Sequence, residues 1–441
     1  MSAIAHLLLS KGERVSGSDL KENRITHALA QKGARIFIGH HTQNLIDADT
    51  VVYSSAIKED NPELAAARAQ GKRVLQRAQA LAELMEGKVA ITVTGSHGKT
   101  TTSSLTAHLL REAGFSPSLA IGGIFKNLGL NASQGKGGFF VAEADESDGS
   151  FLYYRPRYSI ITNIDREHLD YYGTFENALE AYRTFMGQTQ DSGCLFCCRD
   201  DPNIMRLLKG VKARHVLFGL HDDADIYPAR IEFTGLSSDF DCMYRDKLLA
   251  RFRLALGGLH NISNALSVAA LGLELGIGVE TIASVFASYQ GAGRRLDVKF
   301  RSPEVTVIDD YAHHPTEIKA TLAAVRLMRP RRLIAVFQPH RYSRTKLLLD
   351  EFGQSFAGAD RVVVTDIYPA GEAPLPGVTA QALAEAIKRH FPDTPVDCLA
   401  KEAVADAIVA LIEPGDCAVM LGAGDITRIS DAVAERLKKQ G

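Results

Sequence analysis

The sequence lacks an excess of charge of either sign and lacks long apolar runs. Its 441 residues carry 50 Lys and Arg against 52 Asp and Glu, a formal net charge of −2. No run of five or more basic residues occurs, which disfavours dedicated nucleic-acid binding or binding to anionic membranes. No stretch approaches 18 consecutive apolar residues, so a membrane-spanning helix is excluded. The segment Met1–Leu9 has neither a basic start nor a small-residue cleavage site and is not typical of a signal peptide.

Cysteine is scarce, and three of the six cysteines are clustered in the apolar segment GCLFCC. A zinc site would need a second Cys or His pair at ligand spacing, and none follows nearby. We therefore expect buried free thiols, which are typical of a reducing compartment and favour a cytoplasmic location. The six are Cys194, Cys197, Cys198, Cys242, Cys398 and Cys417.

The length predicts about three domains, at roughly 150 residues each, and the alternation of strand and helix patterns predicts an α/β protein. Hydrophobic residues make up 46% and charged residues 23%, as in ordinary globular proteins. Short β-rich and helical patterns alternate along the chain, which is typical of βαβ units. The predicted domains are residues 1–78, 79–296 and 297–441, with a strand-rich insertion near 212–255. The predicted helices are Met1–Ser10, Val74–Glu86, Ser104–Ala113 and Gly257–Leu273; the predicted strands are Arg14–Ser18, Arg35–Gly39, Thr50–Ser54, Val89–Thr94, Phe139–Glu143, Tyr158–Ile164, Val305–Asp309, Leu333–Phe337, Arg361–Thr365 and Cys417–Leu421.

The N-terminal segment begins with a helical pattern. A dinucleotide-type unit opens instead with a strand and a glycine-rich turn before its first helix. We therefore expect that roughly 10–20 residues of such a unit are missing before Met1. A protein that never had this strand is the alternative.

The sharpest local signal is a strand that runs into Gly95-Ser-His-Gly98-Lys99-Thr100 and is followed by a helix. Glycines let backbone N–H groups approach an anion, and a helix N-terminus favours negative charge. In such a loop Lys99 reaches the β- and γ-phosphates, and the Thr100 hydroxyl takes a place on Mg²⁺. The strict phosphate-loop pattern is not met, because Val93 occupies its first glycine position. We predict a nucleotide-phosphate site; the alternative is a glycine-rich turn with a solvated lysine.

Two further predicted strands end in polar clusters. The strand Phe139–Glu143 is followed by acids up to Asp148, and the strand Tyr158–Ile164 is followed by a segment containing His168. Like charges this close repel unless a cation compensates, and Mg²⁺ prefers a few carboxylates with phosphate oxygens. Open α/β sheets bind ligands at the carboxyl ends of their strands. We therefore predict one crevice formed by three strand ends; a solvated acidic loop and a structural histidine are the alternatives.

Taken together, these residues resemble the Mur ligases of peptidoglycan synthesis. The resemblance covers nearly the whole chain in order, and eight motifs are jointly much more specific than any one. It departs at the N-terminus, where the family carries a glycine-rich loop that helps hold the UDP-sugar. The motifs are Thr94–Thr102, Glu143–Asp148, Asn163–Asp170, His260–Ala265, Gly293–Arg295, Asp309–Pro315, Gln338–Thr345 and Gly422–Ile426.

The resemblance implies a three-domain architecture: an N-terminal Rossmann-like domain that binds a UDP-sugar, a central P-loop ATPase-like domain and a C-terminal Rossmann-like domain that contacts the amino acid and ATP. The last four motifs are similar to those of members that join L-alanine to UDP-N-acetylmuramate. Such members transfer the γ-phosphate of ATP to a carboxylate, and the amine of L-alanine then displaces phosphate. By the family pattern Lys99 stabilises the transferring phosphoryl group, Thr100 and Glu143 hold one Mg²⁺, and His168 supports a second.

The family pattern also suggests which residues bind ATP and the substrates. Some of these residues also have a simpler structural interpretation. Asn261 and Asn264 could be helix N-caps, and we interpret Asn264 as structural. One of Arg294 and Arg295 could form a salt bridge between domains instead of binding phosphate. Adjacent His313 and His314 point apart, so a shared metal ion is improbable. The predicted substrate-binding residues are His314, Arg341 and Arg344. We expect Arg341 and Arg344 on one face of the helix that follows the strand Leu333–Phe337; a solvated helix start is the alternative. The predicted ATP-binding residues are Gly95, Ser96, His97, Gly98, Lys99, Thr100, Thr101, Asn261, Arg295 and Asp310.

The leading hypothesis is an ATP-dependent acid–amino-acid ligase that uses Mg²⁺ and acts as a monomer or weak dimer. Within the family, a ligase that recycles a whole tripeptide onto the same sugar is the nearest alternative. A folate-type polyglutamate ligase shares the fold but lacks His-Arg-Tyr-Ser-Arg-Thr. Two alternatives lie outside the family: a P-loop ATPase switch, and a nucleotide-binding remnant without ligase activity.

Overall fold

The computed structural model describes residues 1–45 and 47–440. Within this part of the chain, no helix is both long enough and apolar enough to cross a membrane. The protein divides into two compact units. The first unit comprises Met1–Pro228, Cys242–Ala250 and Ser263–Phe286; the second comprises Ala229–Asp241, Arg251–Ile262 and Ala287–Gly441. The boundaries predicted near residues 79 and 297 remain predictions.

The first unit opens with alternating helices and short parallel strands. The predicted N-terminal helix is confirmed, but the helical prediction for Val74–Glu86 is wrong in its first three residues. Val74, Leu75 and Gln76 belong to a strand that pairs in parallel with Thr50–Tyr53, and the helix begins at Arg77. The elements are α1 (Ser2–Ser10), β1 (Ser16–Asp19), α2 (Arg24–Gln31), β2 (Arg35–Ile38), β3 (Thr50–Tyr53), α3 (Pro62–Ala69), β4 (Arg73–Gln76) and α4 (Arg77–Met85). β1 pairs with β2, and β3 pairs with β4.

A large sheet follows, and its central strands are almost fully buried. Runs of β-branched and apolar residues without alternation are typical of parallel strands covered on both faces. The elements are β5 (Val89–Thr94), α5 (Lys99–Glu112), β6 (Ser118–Phe125), β7 (Leu130–Ser133), β8 (Phe139–Glu143), β9 (Tyr158–Ile161), α6 (Leu169–Tyr172), α7 (Phe175–Gly187), β10 (Cys194–Cys198), α8 (Pro202–Leu208), β11 (His215–Phe218), β12 (Ile226–Thr234), β13 (Ser237–Tyr244), β14 (Lys247–Leu254), α9 (Leu259–Glu274) and α10 (Val279–Ser288).

The strand order places the predicted ligand edge in the middle of this sheet. The order is β14-β13-β12-β11-β10-β9-β5-β8-β6-β7, and β5 runs parallel to both β8 and β9. The carboxyl ends of these three strands therefore meet side by side, as the sequence predicted. The third strand ends at Ile161 rather than Ile164, and α5 begins at Lys99 rather than Ser104.

The second unit contains a mixed sheet in the order β15-β16-β20-β17-β18-β19, in which only the β15–β16 pairing is antiparallel among the described pairs. Buried apolar side chains form one cluster on each face of the sheet. The predicted strands Leu333–Phe337, Arg361–Thr365 and Cys417–Leu421 are confirmed. The elements are β15 (Asp297–Arg301), β16 (Thr306–Asp310), α11 (Pro315–Arg326), β17 (Leu333–Phe337), α12 (Tyr342–Leu347), α13 (Leu349–Gly353), β18 (Arg361–Thr365), α14 (Ala380–His390), β19 (Val396–Leu399), α15 (Lys401–Leu411), β20 (Cys417–Leu421) and α16 (Ile426–Gln440).

All six cysteines lie in the described residues and none forms a disulfide. Five are buried, as the sequence predicted, whereas Cys398 is exposed. Burial raises the pKa of Cys194 and Cys198 to about 11 and that of Cys242 to about 12. Because the thiolate is the reactive form, these buried side chains behave as small apolar groups.

His260, near the start of α9, lies in the second unit among charged groups. Burial, aided by the positive charge of Arg295 and opposed by Glu317, lowers the pKa of His260 to about 4. The imidazole is therefore neutral in the folded protein at neutral and mildly acidic pH.

We predict that acid weakens the fold partly through His260. In the unfolded chain this histidine takes up a proton near pH 6.5, whereas in the folded protein it does so only near pH 4, so stability falls as pH decreases between these values. Between about pH 7.5 and about pH 5 the expected loss is roughly 2 kcal/mol or less. Urea unfolding should show a smaller loss in His260→Gln than in the wild type or in His27→Gln, an exposed control. Equal losses in all three proteins would contradict the assignment.

Candidate active site

The phosphate loop between β5 and α5 needs glycine at two positions. Gly95 and Gly98 have φ angles of +129° and +83°, where other residues are strained. A Cβ atom at Gly95 would lie 2.2 Å from Thr162 Oγ1, and one at Gly98 would lie 2.7 Å from Asn264 Oδ1. The loop therefore passes too close to its surroundings for side chains at these positions.

Hydrogen bonds fasten the loop to the segment that follows β9. Asn163 accepts from the backbone N–H groups of Ser96 at 3.0 Å and of His97 at 2.8 Å. The Thr162 hydroxyl donates to the His97 carbonyl at 2.6 Å, and the Ser96 hydroxyl accepts from the Asp165 N–H at 2.8 Å. The loop is thus held in place by the protein itself, before any anion binds.

Lys99 lies at the centre of the site. Its ammonium donates to Glu146 Oε1 at 2.8 Å and to the carbonyls of Gly95 at 2.6 Å and Ser96 at 3.1 Å. Burial by itself would lower the pKa of Lys99, but the charges of Glu146, Asp145 and Glu143 outweigh it and raise the pKa. Lys99 therefore carries a full positive charge at the carboxyl edge of the sheet.

Thr100 and Glu143, both predicted as Mg²⁺ ligands, lie side by side. The Thr100 hydroxyl donates to Glu143 Oε1 at 3.1 Å, and the Gly122 N–H donates to Oε2 at 2.8 Å. Burial raises the pKa of Glu143, and the Lys99 charge counteracts it. A hydroxyl beside a carboxylate is an all-oxygen donor set of the kind that Mg²⁺ accepts.

Next to His168 the structure places a carboxylate that the sequence analysis did not single out. Glu146 Oε1 lies 3.4 Å from His168 Nε2, and Glu167 lies 3.9 Å away. Burial would lower the pKa of His168, but these two carboxylates raise it. Glu146 is 2% exposed, and its Oε2 has no hydrogen-bond partner within the described residues. The only sequence signal for Glu146 was its membership of the acidic cluster.

The two asparagines of α9 are not N-caps, because the helix begins at Leu259. Asn264 packs against Gly98 of the phosphate loop, as the distance above requires, although the sequence analysis assigned it no role beyond structure. Asn261 is buried, and its side-chain NH₂ donates to the Gly257 carbonyl at 2.8 Å.

Arg294 and Arg295, in the second unit, contact different partners. Arg294 donates to the Gly422 carbonyl at 2.5 Å, whereas Arg295 pairs with Glu317 at 3.2 Å. Both guanidiniums lie over the Tyr311 ring, at 4.9 Å and 5.1 Å from its centre. Arg294 also forms an ion pair, with Asp309 Oδ2 at 3.6 Å. Both arginines are therefore in salt bridges, and the role of Arg295 toward ATP stays a prediction.

Asp310 and His314, predicted to bind ATP and substrate, are both buried. Asp310 accepts from the N–H groups of Leu296 at 2.6 Å and Ala312 at 2.9 Å, and burial raises the pKa of Asp310. His314 is the N-cap of α11 and accepts from the Thr316 N–H at 3.4 Å. In the described structure both residues therefore also hold the loop between β16 and α11, and their ligand roles remain predictions.

His313, which the sequence analysis left without a role, links several of these groups. Glu317 accepts from the His313 N–H at 3.0 Å and lies 3.1 Å from Nδ1 of the same residue. The His313 ring packs edge-on against Tyr311 at 5.2 Å and against His340 at 5.7 Å. As expected, His313 and His314 turn to different neighbours. The sequence signal that could have identified this pair was an acid four residues after His313, the spacing of side chains on one helical face.

Arg341 and Arg344 do not share a helix, so the prediction that both lie on one helical face is wrong. Arg341 is the N-cap of α12, with φ 71° and ψ 136°, and only Arg344 is helical. His340, stacked on Tyr368 at 5.4 Å, lies 3.4 Å from the Arg344 guanidinium. Burial, aided by His313 and Arg344, lowers the pKa of His340 to about 3, so this imidazole is neutral between the arginines.

Comparison with known proteins agrees with this arrangement. Three sequence families match: the Mur ligase family, catalytic domain, at residues 1–89; the Mur ligase middle domain at residues 93–272; and the Mur ligase, glutamate ligase domain at residues 294–424. The UDP-N-acetylmuramate–L-alanine ligase of Geotalea uraniireducens (strain Rf4) is 43% identical over 99% of this chain and 96% of its own length. That of Anaeromyxobacter sp. (strain Fw109-5) is 45% identical over 97% of this chain and 93% of its own length.

Among solved structures, the UDP-N-acetylmuramate–alanine ligase of Thermotoga maritima matches with a TM-score of 0.85 and 27% identity, over 100% of this chain and 97% of that one. A murein peptide ligase from Psychrobacter arcticus shares the fold, with a TM-score of 0.72 and 24% identity, over 99% of this chain and 96% of that one. With sequence families matched along the chain, relatives above 40% identity over nearly its full length and the phosphate loop at the carboxyl edge of its sheet, the chain belongs to the Mur ligase family.

Proposed function

We propose that this chain ligates L-alanine to the lactyl carboxylate of UDP-N-acetylmuramate in peptidoglycan precursor synthesis, using ATP and releasing ADP and phosphate. Two observations together carry the proposal. The phosphate loop holds a charged lysine, and relatives that match over nearly the full chain are named for this reaction. Relatives at 43% and 45% identity over nearly the full chain are named for L-alanine, which favours L-alanine over a tripeptide as the amine substrate.

The chemistry explains why the reaction needs ATP. A carboxylate repels nucleophiles, and an oxide ion is a very poor leaving group, so the amine does not attack it directly. Transfer of the γ-phosphoryl group to the carboxylate oxygen gives an acyl phosphate and ADP. The amine then attacks the carbonyl carbon, and phosphate leaves with the former carboxylate oxygen. The protein contributes positioning and charge neutralisation rather than a covalent intermediate of its own.

In this proposal Lys99 is the catalytic cation. Its ammonium has a raised pKa and donates to the Gly95 and Ser96 carbonyls of the loop. From there it would contact the β- and γ-phosphates of bound ATP. A γ-phosphate oxygen would take over the contact that Glu146 makes with Lys99. Negative charge that spreads over the transferring phosphoryl oxygens is then stabilised without rearrangement of the loop.

The donor set at the ends of β8 and α5 fits Mg²⁺. Thr100 and Glu143 would hold the first ion, and His168 would support a second, beside the buried Glu146 oxygen that has no hydrogen-bond partner within the described residues. When bound, Mg²⁺ neutralises phosphate charge and polarises the oxygens of the phosphoryl group.

The remaining assignments follow the family pattern and the contacts described above. Arg341 and Arg344 would bind the carboxylate of L-alanine, since paired guanidiniums suit a planar anion, and His314 would lie at the substrate. We further infer a cytoplasmic enzyme that acts as a monomer or weak dimer. The remaining ATP contacts are assigned to Gly95, Ser96, His97, Gly98, Thr101, Asn261, Arg295 and Asp310.

The first test is ADP release by the purified chain with Mg-ATP and UDP-N-acetylmuramate, with and without L-alanine. We expect release only with L-alanine, together with a product of the mass of the amide. Release without any amine would indicate an ATPase, and product formed only with the tripeptide would indicate the recycling ligase. ATP binding without product would indicate a nucleotide-binding protein that lacks ligase activity.

Replacing Lys99 should remove phosphoryl transfer. We expect Lys99→Ala to lower acyl-phosphate formation by roughly a thousandfold or more, the range for a cation on a transferring phosphoryl group. Because the variant leaves Glu146 buried without its cation, the double variant Lys99→Ala/Glu146→Ala controls for lost stability. The exposed Lys136→Ala should retain full activity. Wild-type turnover in a folded Lys99→Ala protein would refute the assignment.

A methyl group at Gly95 should weaken ATP binding. Gly95→Ala places a Cβ atom 2.2 Å from Thr162 Oγ1 at a φ of +129°, so the loop must move away from the segment after β9. We expect the Kd for Mg-ATP to rise at least tenfold by calorimetry, a loss of about 1.4 kcal/mol. Gly138→Ala, where nothing lies within 4 Å of the added Cβ, should bind ATP as the wild type does. Equal affinities in the two variants would show that the loop tolerates a side chain.

A further inference from the structure

Arg341 has a backbone conformation that residues other than glycine rarely adopt. Its φ of 71° and ψ of 136° lie outside the helical and extended regions open to L-residues. Such strain persists only where the surrounding structure holds it, and it occurs most often at functional positions. The question is therefore which contacts hold Arg341 in place.

One set of contacts comes from the segment Tyr368–Glu372, between β18 and α14. The Arg341 N–H donates to the Tyr368 carbonyl at 2.8 Å, and the Tyr368 N–H donates to the Pro339 carbonyl at 2.8 Å. The Tyr368 ring stacks on His340 at 5.4 Å with an angle of 10° between the planes. The segment thus holds the residue before Arg341 as well as Arg341 itself.

A second set comes from α12. The Thr345 N–H donates to the Arg341 carbonyl at 3.1 Å, and the Thr345 hydroxyl donates to the same oxygen at 2.8 Å. The Arg341 carbonyl thus accepts the first backbone hydrogen bond of the helix, whereas the Arg341 side chain makes no capping hydrogen bond. The first N–H groups of α12 therefore need an acceptor from elsewhere in the chain.

Glu372 supplies that acceptor. The Ser343 N–H donates to Glu372 Oε2 at 3.0 Å, and the Ser343 hydroxyl donates to Oε1 at 2.6 Å. The segment itself turns back at this point, because the Glu372 N–H donates to the Pro369 carbonyl at 3.0 Å. A carboxylate at the first turn of a helix is also favoured by the helix dipole. Glu372 thus caps α12 from a distance of 29 residues in the sequence.

We propose that Glu372 is a positioning residue for the amino-acid substrate: by capping α12 it holds the strained Arg341 and the helical Arg344 in the arrangement that binds the substrate carboxylate. The inference rests on the proposed function, which assigns these arginines to that carboxylate. Glu372 acts through Ser343 and the helix start.

The proposal distinguishes Glu372 from a group that only stabilises the fold. A positioning role predicts an effect on binding of the amino acid alone, because the proposed function assigns ATP to other residues. A general loss of packing would instead lower the melting temperature and affect kcat and every KM together.

The first experiment measures steady-state kinetics of the full chain with Glu372→Gln and Glu372→Ala. Gln keeps the length of the side chain but offers only one acceptor oxygen to the two Ser343 donors. We expect the KM for L-alanine to rise about tenfold in Glu372→Ala, with a smaller rise in Glu372→Gln. The kcat and the KM for ATP should change less than about twofold. The control is Glu351→Gln, an exposed acid on α13, which should behave as the wild type does.

A double variant locates the effect at Ser343. Since Ser343→Ala removes one of the two hydrogen bonds to Glu372, Glu372→Ala/Ser343→Ala should have the same KM for L-alanine as Glu372→Ala alone. If the two substitutions instead raised the KM for L-alanine independently, so that their factors multiplied in the double variant, Glu372 would act by another route and the proposal would be overturned.

A second measurement does not depend on activity. Arg341→Gly and Arg341→Ala both remove the guanidinium, but only glycine relieves the backbone. We expect the melting temperature of Arg341→Gly to exceed that of Arg341→Ala by about 2 °C or more. Hydrogen exchange of the Ser343 amide should be faster in Glu372→Ala than in the wild type, since its acceptor is lost.

The possible outcomes distinguish a wrong role for Glu372 from a wrong function for the protein. If the wild-type chain forms the amide but Glu372→Ala has an unchanged KM for L-alanine, the positioning role is wrong and the proposed function stands. An unchanged exchange rate of the Ser343 amide would overturn the capping itself. If the wild type forms no amide, the proposed function fails, and the role of Glu372 in amino-acid binding is overturned with it.

Discussion

The ion pair between Lys99 and Glu146 sets the electrostatics of the phosphate site. An ammonium removed from water is unfavourable by itself, and here three carboxylates and two backbone carbonyls offset that loss. The same ammonium counteracts the rise in pKa that burial imposes on Glu143. The buried ammonium of Lys99 and the buried carboxylates stabilise each other at this edge of the sheet. The acidic cluster and the phosphate loop therefore depend on each other electrostatically.

This balance depends on a loop that the fold holds in advance. The segment after β9 fixes Ser96 and His97 through Thr162 and Asn163, and Asn264 closes on Gly98 from the helix α9. Such fastening holds the loop backbone in one conformation. The entropy of ordering a flexible loop is then lost on folding rather than on binding, which is the advantage of a preorganised site.

Much of the central domain was predictable because its strands are buried on both faces. Continuous apolar runs that end in glycine or acids gave the bounds of Val89–Thr94 and Phe139–Glu143, and also the prediction that their ends meet. The prediction failed where tertiary pairing overrides local preference. Val74–Gln76 lie in an Ala- and Leu-rich segment of helical character, yet the register with β3 makes them a strand.

The site residues that the sequence analysis missed act through neighbours distant in the chain. Glu146 was one acid among four, and only the fold shows that it is the one between Lys99 and His168. His313 gains significance from its contact with His340, which local patterns do not bring next to it. The positive φ of Arg341 was equally hidden, because no glycine marks the position and a helical pattern begins at the next residue.

The distribution of the cysteines has a practical consequence for spectroscopy. Cys398, at the C-terminal part of β19, is exposed, whereas the other five thiols are buried. A maleimide-linked fluorophore or spin label should therefore attach to the second unit at one position in the unaltered sequence. Such a label would report on the surroundings of β19, with no cysteine introduced or removed.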